Sequence, residues 1–345
     1  MVSLNFVGDI GLFKEYQNKR IDPFIEIKLP DSDYNIGNFE FIIPNNRKNF
    51  YFDVLDQYAV DYDYFKSLKL NCFNAFGMAN NHCMDYGKEG IEDVIKIFER
   101  NNISYFGVGS DKFNVLKFKL KGISFAIIAF VKSGRWSRNT DIPFGPDPYD
   151  LDKIIYKIKS LKNFVNHIII FPHFGTELVD VPNPDDVKNS RLMIDNGASA
   201  VIGHHPHIIQ GIENYNEGII AYSLGSFIYI PENEAGYKKS QNRNRDYSIC
   251  LKLEFDSKRI TGSKPFYYKY DQELRIPVES IEPNPYFDQL NKLIDSPEAY
   301  HKSIRQSLIK REIISFFQRF KKAPLATLKH YAGYLKIKHI KKIFI

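Results

Sequence analysis

The chain repeats one kind of junction: a short apolar run stops, and residues able to hold a cation follow at once. Leu4-Asn5-Phe6-Val7 ends in Gly8-Asp9, and Asp33-Tyr34-Asn35-Ile36 leads to Gly37-Asn38-Phe39-Glu40. Cys72-Phe73-Asn74-Ala75-Phe76-Gly77 leads to Ala79-Asn80-Asn81-His82. The apolar run 165–171 leads to Pro172-His173-Phe174-Gly175-Thr176-Glu177, and Val201-Ile202-Gly203 leads to His204-His205-Pro206-His207. In open α/β sheets the functional crevice lies beyond the carboxyl ends of the strands. Five strands that each deliver Asp, Glu, Asn or His at that end can therefore build one site. Three of the nine histidines crowd into the turn 204–207, and neutral imidazole is the commonest metal-binding side chain. The pattern predicts a metal centre at the ends of a parallel sheet.

The rest of the chain supports that architecture. Strands are expected near 2–7, 33–37, 71–77, 103–107, 115–120, 123–130, 165–171, 199–203, 207–213, 219–224, 247–255 and 259–269. Helices are expected near 61–69, 87–102, 150–163 and 185–196. The second is the clearest, with Ile91, Val94, Ile95 and Phe98 on one face. Alternating strands and helices over the first 200 residues argue for an α/β sheet. The segment 207–270 reads as mostly antiparallel strands, so a two-sheet sandwich flanked by helices is expected. Three prolines between Ile276 and Pro285 mark a boundary. The expected division is a domain over 1–275 and a basic helical extension over 286–345, with a helix from Ser303 to Phe320.

Composition excludes several classes. At 43% hydrophobic and 26% charged residues the chain is ordinary globular material. Cys72, Cys83 and Cys250 are too few, and wrongly spaced, for a disulfide framework or a zinc knuckle. No run approaches the length of a membrane span, and Met1-Val2-Ser3 enters the first strand without a basic leader region. A cytoplasmic location is the expectation. The net charge of +6 is uneven: residues 301–345 hold nine Lys and three Arg against Glu312, a surplus of +11 that leaves −5 for the rest. A basic apolar tail suits an anionic membrane surface or a helix docked on the body. Specific nucleic-acid binding is not expected, because basic residues alone give only salt-sensitive affinity.

Gly8-Asp9, Asn38-Phe39-Glu40, Ala79-Asn80-Asn81-His82 with Asp85 and Gly87, His173-Phe174-Gly175-Thr176-Glu177, Gly203-His204-His205-Pro206-His207 and Ser223-Leu224-Gly225-Ser226-Phe227 occur in that order. Together they resemble the bacterial capsule synthesis CapA family, the poly-γ-glutamate capsule proteins, over roughly residues 2–255. That family is similar in turn to the calcineurin-like metallophosphoesterases. The resemblance implies a four-layer α/β/β/α sandwich with a site for two divalent metal ions, which need about seven or eight protein ligands of mixed N and O type. Asp9 would hold one ion and Glu40 would bridge both. Asn81, His173, His205 and His207 would complete the set. His82 would protonate a leaving oxygen. The implied activity is metal-dependent hydrolysis of a phosphoester or an envelope-polymer linkage; the alternative is non-hydrolytic binding of an anionic polymer in capsule assembly.

Supporting roles are expected for Asn38, Asn80, Glu177, His204 and Ser226. Asn38 could equally fix its loop by Asx-type hydrogen bonds, and Glu177 could orient His173 or touch substrate. Asp85 and Asp180 read as ordinary polar loop residues, and His167 as a core histidine. A carboxylate, amide and imidazole set without thiolate suits Mn, Fe or Zn. Arg135 and Arg138 follow a strand end beside the only Trp, where they could hold an anionic group. The pattern of the wider superfamily begins Asp-x-His, whereas Asp9 is followed by Ile10-Gly11.

Overall fold

The fold was obtained as a computed structural model. It describes all residues except 13, 42, 44–59, 111–112, 133–143, 229–245, 272, 275, 281–284, 295, 323, 326 and 328–345. In chain order the first half runs β1 (Val2–Ile10), α1 (Lys14–Lys19), β2 (Tyr34–Phe39), α2 (Tyr62–Ser67), β3 (Ala75–Gly77), α3 (Gly87–Arg100), β4 (Ser104–Phe106), β5 (Val108–Gly109), β6 (Leu116–Leu120) and β7 (Ile123–Val131). Then come β8 (Gly145–Pro146), α4 (Leu151–Leu161), β9 (His167–His173), α5 (Pro184–Asp195), β10 (Ala200–Ile202), β11 (Ile212–Tyr215) and β12 (Gly218–Ala221). The last elements are β13 (Ser226–Ile228), β14 (Tyr247–Phe255), β15 (Ile260–Asp271), β16 (Ile276–Glu279), α6 (Pro285–Ile294) and α7 (Pro297–Lys322).

These strands form two large sheets. One has the order β16-β15-β14-β1-β2-β3-β4, with β13 also paired to β1; the other has the order β11-β12-β10-β9-β7-β6. Neighbours are parallel from β1 to β4 and from β7 through β9 and β10 to β12. Side chains alternate across each strand, which sorts the core into layers. Phe6, Ile36, Ile127, Ile169, Phe171 and Leu251 fill the space between the sheets. Val7, Phe39 and Phe76 turn outward onto Ile91, Val94 and Phe98 of α3. Ile128, Ile168 and Ile170 turn outward onto Ile154 and Ile158 of α4 and Met193 of α5. Burial on both faces explains why β7 and β9 read as continuous apolar runs. Each fully buried Ile or Phe contributes roughly 1.5–3 kcal/mol. The result is the expected four-layer α/β/β/α sandwich.

Local signals set the helix starts. Asp150 caps α4 by accepting from the Lys153 amide at 3.2 Å. Pro184 opens α5, followed by Asp185 and Asp186 in its first turn, where acidic residues suit the helix dipole.

Several expectations need correction. The strand expected at 207–213 begins only at Ile212, and that expected at 71–77 is reduced to Ala75–Gly77 after a 3-10 turn over Leu70–Cys72. Within 207–270, β12 pairs parallel with β10 and β13 parallel with β1, beside the expected antiparallel pairs. The first large sheet continues through β16 to Glu279. Beyond it α6 and α7 dock on the body: Asn291 accepts the Ile212 amide at 2.7 Å, and Leu290, Tyr300 and Ile304 bury against Val179 and Val181. The basic segment 328–345 lies outside the described residues. Among the described residues no helix is long and apolar enough to cross a membrane.

Candidate metal centre

The ligand-type residues sit where adjacent strands end. β1 changes partner at Gly8. Val2–Val7 run antiparallel to β14, while Asp9 lies between Asn38 of β2 and Ser226 of β13, both parallel. A Cβ on Gly8 would meet the Gly225 carbonyl oxygen at 1.9 Å, so only glycine allows this approach. His173 is the last residue of β9. His205 and His207 have φ of 100° and 58°, a left-handed backbone that few side chains adopt. Their turn is held from two sides. Pro206 accepts the Leu178 amide at 2.9 Å, and Asp9 Oδ2 accepts the His205 amide at 3.3 Å. This local strain also explains why no strand forms at 207.

Two groups of ligand atoms result, and they share Glu40: Glu40 with His173 and His205, and Asp9 with Glu40 and His207. Within the first, His173 Nε2 lies 3.5 Å from Glu40 Oε1 and 3.1 Å from His205 Nδ1, with Asn81 Oδ1 at 2.7 Å from the same Nε2. Within the second, His207 Nδ1 is 3.0 Å from Asp9 Oδ2, and its Nε2 is 3.6 Å from Glu40 Oε1. Asp9, Glu40, His173, His205 and His207 are all buried.

The electrostatics of the cluster ask for a cation. Both carboxylate oxygens of Glu40 are buried without a hydrogen-bond partner. Burial, then the charges of Asp9 and Glu177, push its carboxyl well above the usual range. Burial would raise Asp9 too, but the hydrogen bond and charge of His207, with His173 and His204, hold it well below that range. Burial lowers His173 far below its ordinary value and takes His205 down to about 4, against the opposing charge of Glu177. Buried imidazoles kept neutral beside carboxylates are in the state that binds metal. An orphaned buried carboxylate between two such groups fits a divalent ion, so these residues could hold one.

The supporting residues fall into place around this cluster. Asn38 donates to Asp9 Oδ1 at 2.8 Å and sits 3.4 Å from His173 Nδ1. Ser226 Oγ lies 3.2 Å from His207 Nδ1. Asn80 is spent on the backbone, donating to the Phe39 carbonyl and accepting the His82 amide, which turns Asn81 toward His173. His204 lies against Phe171, ring centroids 4.0 Å apart and planes tilted by 36°, with its Nε2 3.2 Å from the Val7 carbonyl oxygen. Glu177 makes its charge felt at Glu40 and His205. His82 sits at the rim, its Nδ1 2.8 Å from Asp85 Oδ2. Asp85 corrects the reading of it as an ordinary loop residue: it is buried and fixes His82. The signal was the three-residue spacing between them. Asp180 accepts from the Tyr286 hydroxyl at 3.0 Å. His167 is the expected core histidine, bonded to Ser199 Oγ and the Asp256 carbonyl. Arg135 and Arg138 lie outside the described residues.

Fold and site thus define a class: a four-layer α/β protein whose parallel strands end on a buried carboxylate–imidazole centre. Residues 3–230 match the family model "Bacterial capsule synthesis protein PGA_cap", and the chain belongs to that family. It is 30% identical over 249 residues to the capsule biosynthesis protein CapA of Bacillus anthracis, covering 66% of this chain and 60% of that protein. It is 31% identical over 242 residues to the PGA biosynthesis protein CapA of Bacillus subtilis, covering 66% and 63%. The chain therefore spans under two thirds of the length of these relatives. Among solved structures, a hypothetical protein from Thermus thermophilus aligns with a TM-score of 0.49 at 13% identity, over 77% of this chain and 99% of that one. A phosphatase from Mycoplasma pneumoniae aligns with a TM-score of 0.47 at 14% identity, over 84% and 96%.

Proposed function

We propose that the chain is a hydrolase using two divalent ions, acting on a phosphoester or an anionic envelope-polymer linkage in capsule, poly-γ-glutamate or polysaccharide metabolism. The observation that carries this reading is Glu40: a buried carboxylate with no partner of its own, shared by two ligand groups. Asp9, Glu40 and His207 would hold one ion; Glu40, Asn81, His173 and His205 would hold the other. Their oxygen and imidazole donors suit Mn, Fe or Zn. Such ions, when bound, acidify water and polarise a phosphoryl or carbonyl oxygen. The protein's own groups do the rest. Asn38 and Ser226 orient Asp9 and His207. Asp85 holds Nδ1 of His82, leaving Nε2 as the atom that gives a proton to the leaving oxygen. Three free cysteines accord with a reducing compartment such as the cytoplasm.

A second reading, non-hydrolytic binding of an anionic polymer, is favoured by one observation. Gly11 stands at the histidine position of the Asp-x-His pattern, and among the described residues the Asp9 group holds three carboxylate or imidazole ligands. One experiment separates the two. Purified protein is analysed for bound metal, then assayed on generic phosphodiester and phosphomonoester substrates with Mn, Fe or Zn, beside His82→Ala. Turnover that His82→Ala removes without loss of metal supports hydrolysis. Bound metal without turnover on any substrate favours the second reading. A protein that binds no divalent ion refutes both.

A further inference from the structure

α7 has two faces with different surroundings. Tyr300 and Ile304 turn into the body, against Val179, Val181 and Leu290. After Ile304 the described apolar side chains of the helix are more exposed. Leu308 is 37% exposed, Ile309 40%, Ile313 51% and Phe317 59%. At about 100° per residue, Ile309, Ile313, Phe316, Phe317 and Phe320 fall on one stripe, opposite Tyr300 and Ile304. Phe316 and Phe320 stack with ring centroids 5.7 Å apart, and Phe317 meets Phe316 edge-on at 5.5 Å. Lys302, Lys310 and Lys321 are exposed on the same helix, and residues 301–345 carry the surplus of +11.

We propose that this stripe lies on an anionic lipid surface. The isoleucines and phenylalanines enter the boundary between headgroups and acyl chains, and the lysines meet headgroup phosphates. Charge complementarity selects this occupant. A second copy would bring two basic helices together, each with seven Lys and Arg against two Glu over 297–322, where like charges repel. A soluble polyanion would satisfy the lysines but make no use of an aromatic stripe. A lipid surface uses both. The inference is independent of the reaction at the metal centre.

The test is sedimentation of the full-length protein with vesicles of phosphatidylcholine alone, or of phosphatidylcholine mixed with phosphatidylglycerol. Binding is expected only to the mixed vesicles. Ile313→Glu/Phe317→Glu should abolish it while leaving thermal unfolding unchanged, since both side chains face solvent. Lys310→Gln/Lys321→Gln should lower partitioning about thirty-fold, roughly fivefold per cation. Equal binding by wild type and Ile313→Glu/Phe317→Glu overturns the proposal. So does a dimer, seen by sedimentation equilibrium, that the same variant dissolves without any vesicle binding. Retention on poly-glutamate without vesicle binding overturns it in favour of a polymer partner.

Discussion

The sharpest consequence of the shared carboxylate is a change of sign on replacing Glu40 with glutamine. Both Oε atoms are buried and unpartnered, and burial beside Asp9 and Glu177 pushes the carboxyl up, so the metal-free protein must hold a proton there. Holding that proton at pH 7, above the ordinary value of 4.5, costs up to about 3 kcal/mol; a glutamine needs no proton and keeps only the cost of an unpartnered buried group, about 1–3 kcal/mol, which the carboxyl bears as well. Glu40→Gln should therefore stabilise the metal-free protein by about 2 kcal/mol. For a chain of this length that is a rise in Tm of roughly 3 °C. Metal reverses the order. Wild type should gain about 4 kcal/mol at a thousand-fold excess over Kd, or roughly 6 °C. The variant, which keeps one neutral amide oxygen in place of the carboxylate common to both ligand groups, should gain much less. Differential scanning calorimetry with and without chelator, then with added Mn or Zn, reads all four values. A variant whose metal-free Tm falls below wild type while its metal-induced rise persists would refute the reasoning, because Glu40 would then be a structural residue and not a ligand.

Four further outcomes are expected. Gly8→Ala places a methyl group against the Gly225 carbonyl, a backbone atom that cannot move aside, and should lower the urea midpoint by the equivalent of about 3 kcal/mol or more. Tyr300→Phe removes the donor to the Pro182 carbonyl at 2.6 Å; it should cost about 1–2 kcal/mol and speed amide exchange across 176–182, with exchange at α3 unchanged. Under the hydrolase reading, Asp85→Asn should lower kcat about 10–100-fold with metal content unchanged; an unaltered kcat would remove His82 from the reaction. Burial holds His167 below its ordinary value of 6.5, so the unfolded state binds the extra proton and stability rises with pH. The His167 contribution is complete above pH 6.5 and is lost as pH falls from there through the folded pKa. The stability gap between wild type and His167→Gln should accordingly narrow below pH 6.5; a gap independent of pH would sink the assignment.

Much of this was legible in the sequence because it is local. An apolar run that stops at a ligand-type residue says where a strand ends and what stands there, and Asp9, Glu40, His173, His205 and His207 were all found that way. Asn81 came instead from the family resemblance. What depends on tertiary pairing was hidden. Nothing in the Asn80-Asn81 pair tells that Asn80 is consumed by the Phe39 carbonyl. Asp85 looked like any turn residue because its burial comes from the surrounding fold. The failed strand at 207 reflects two left-handed histidines, a conformation that propensity argues against and that only the hold from Leu178 and Asp9 maintains. The docking of α6 and α7 on the loop behind Glu177 rests on Tyr300 meeting Pro182, residues 118 positions apart, which no periodicity reveals.

The change of partner along β1 also bears on how the protein is made. Asp9 is separated from His205 by 196 residues, and β13, which pairs beside Asp9, emerges later still. A chain growing from the ribosome therefore presents β1 long before the strand that flanks its far end exists. Until then its open edge invites pairing with other chains. The centre can close only once residue 228 is free, so any cation it takes would enter after most of the sandwich has formed. Truncations within the first 228 residues should yield sheets without a site, and a premature stop there is expected to produce aggregating fragments instead of a folded domain.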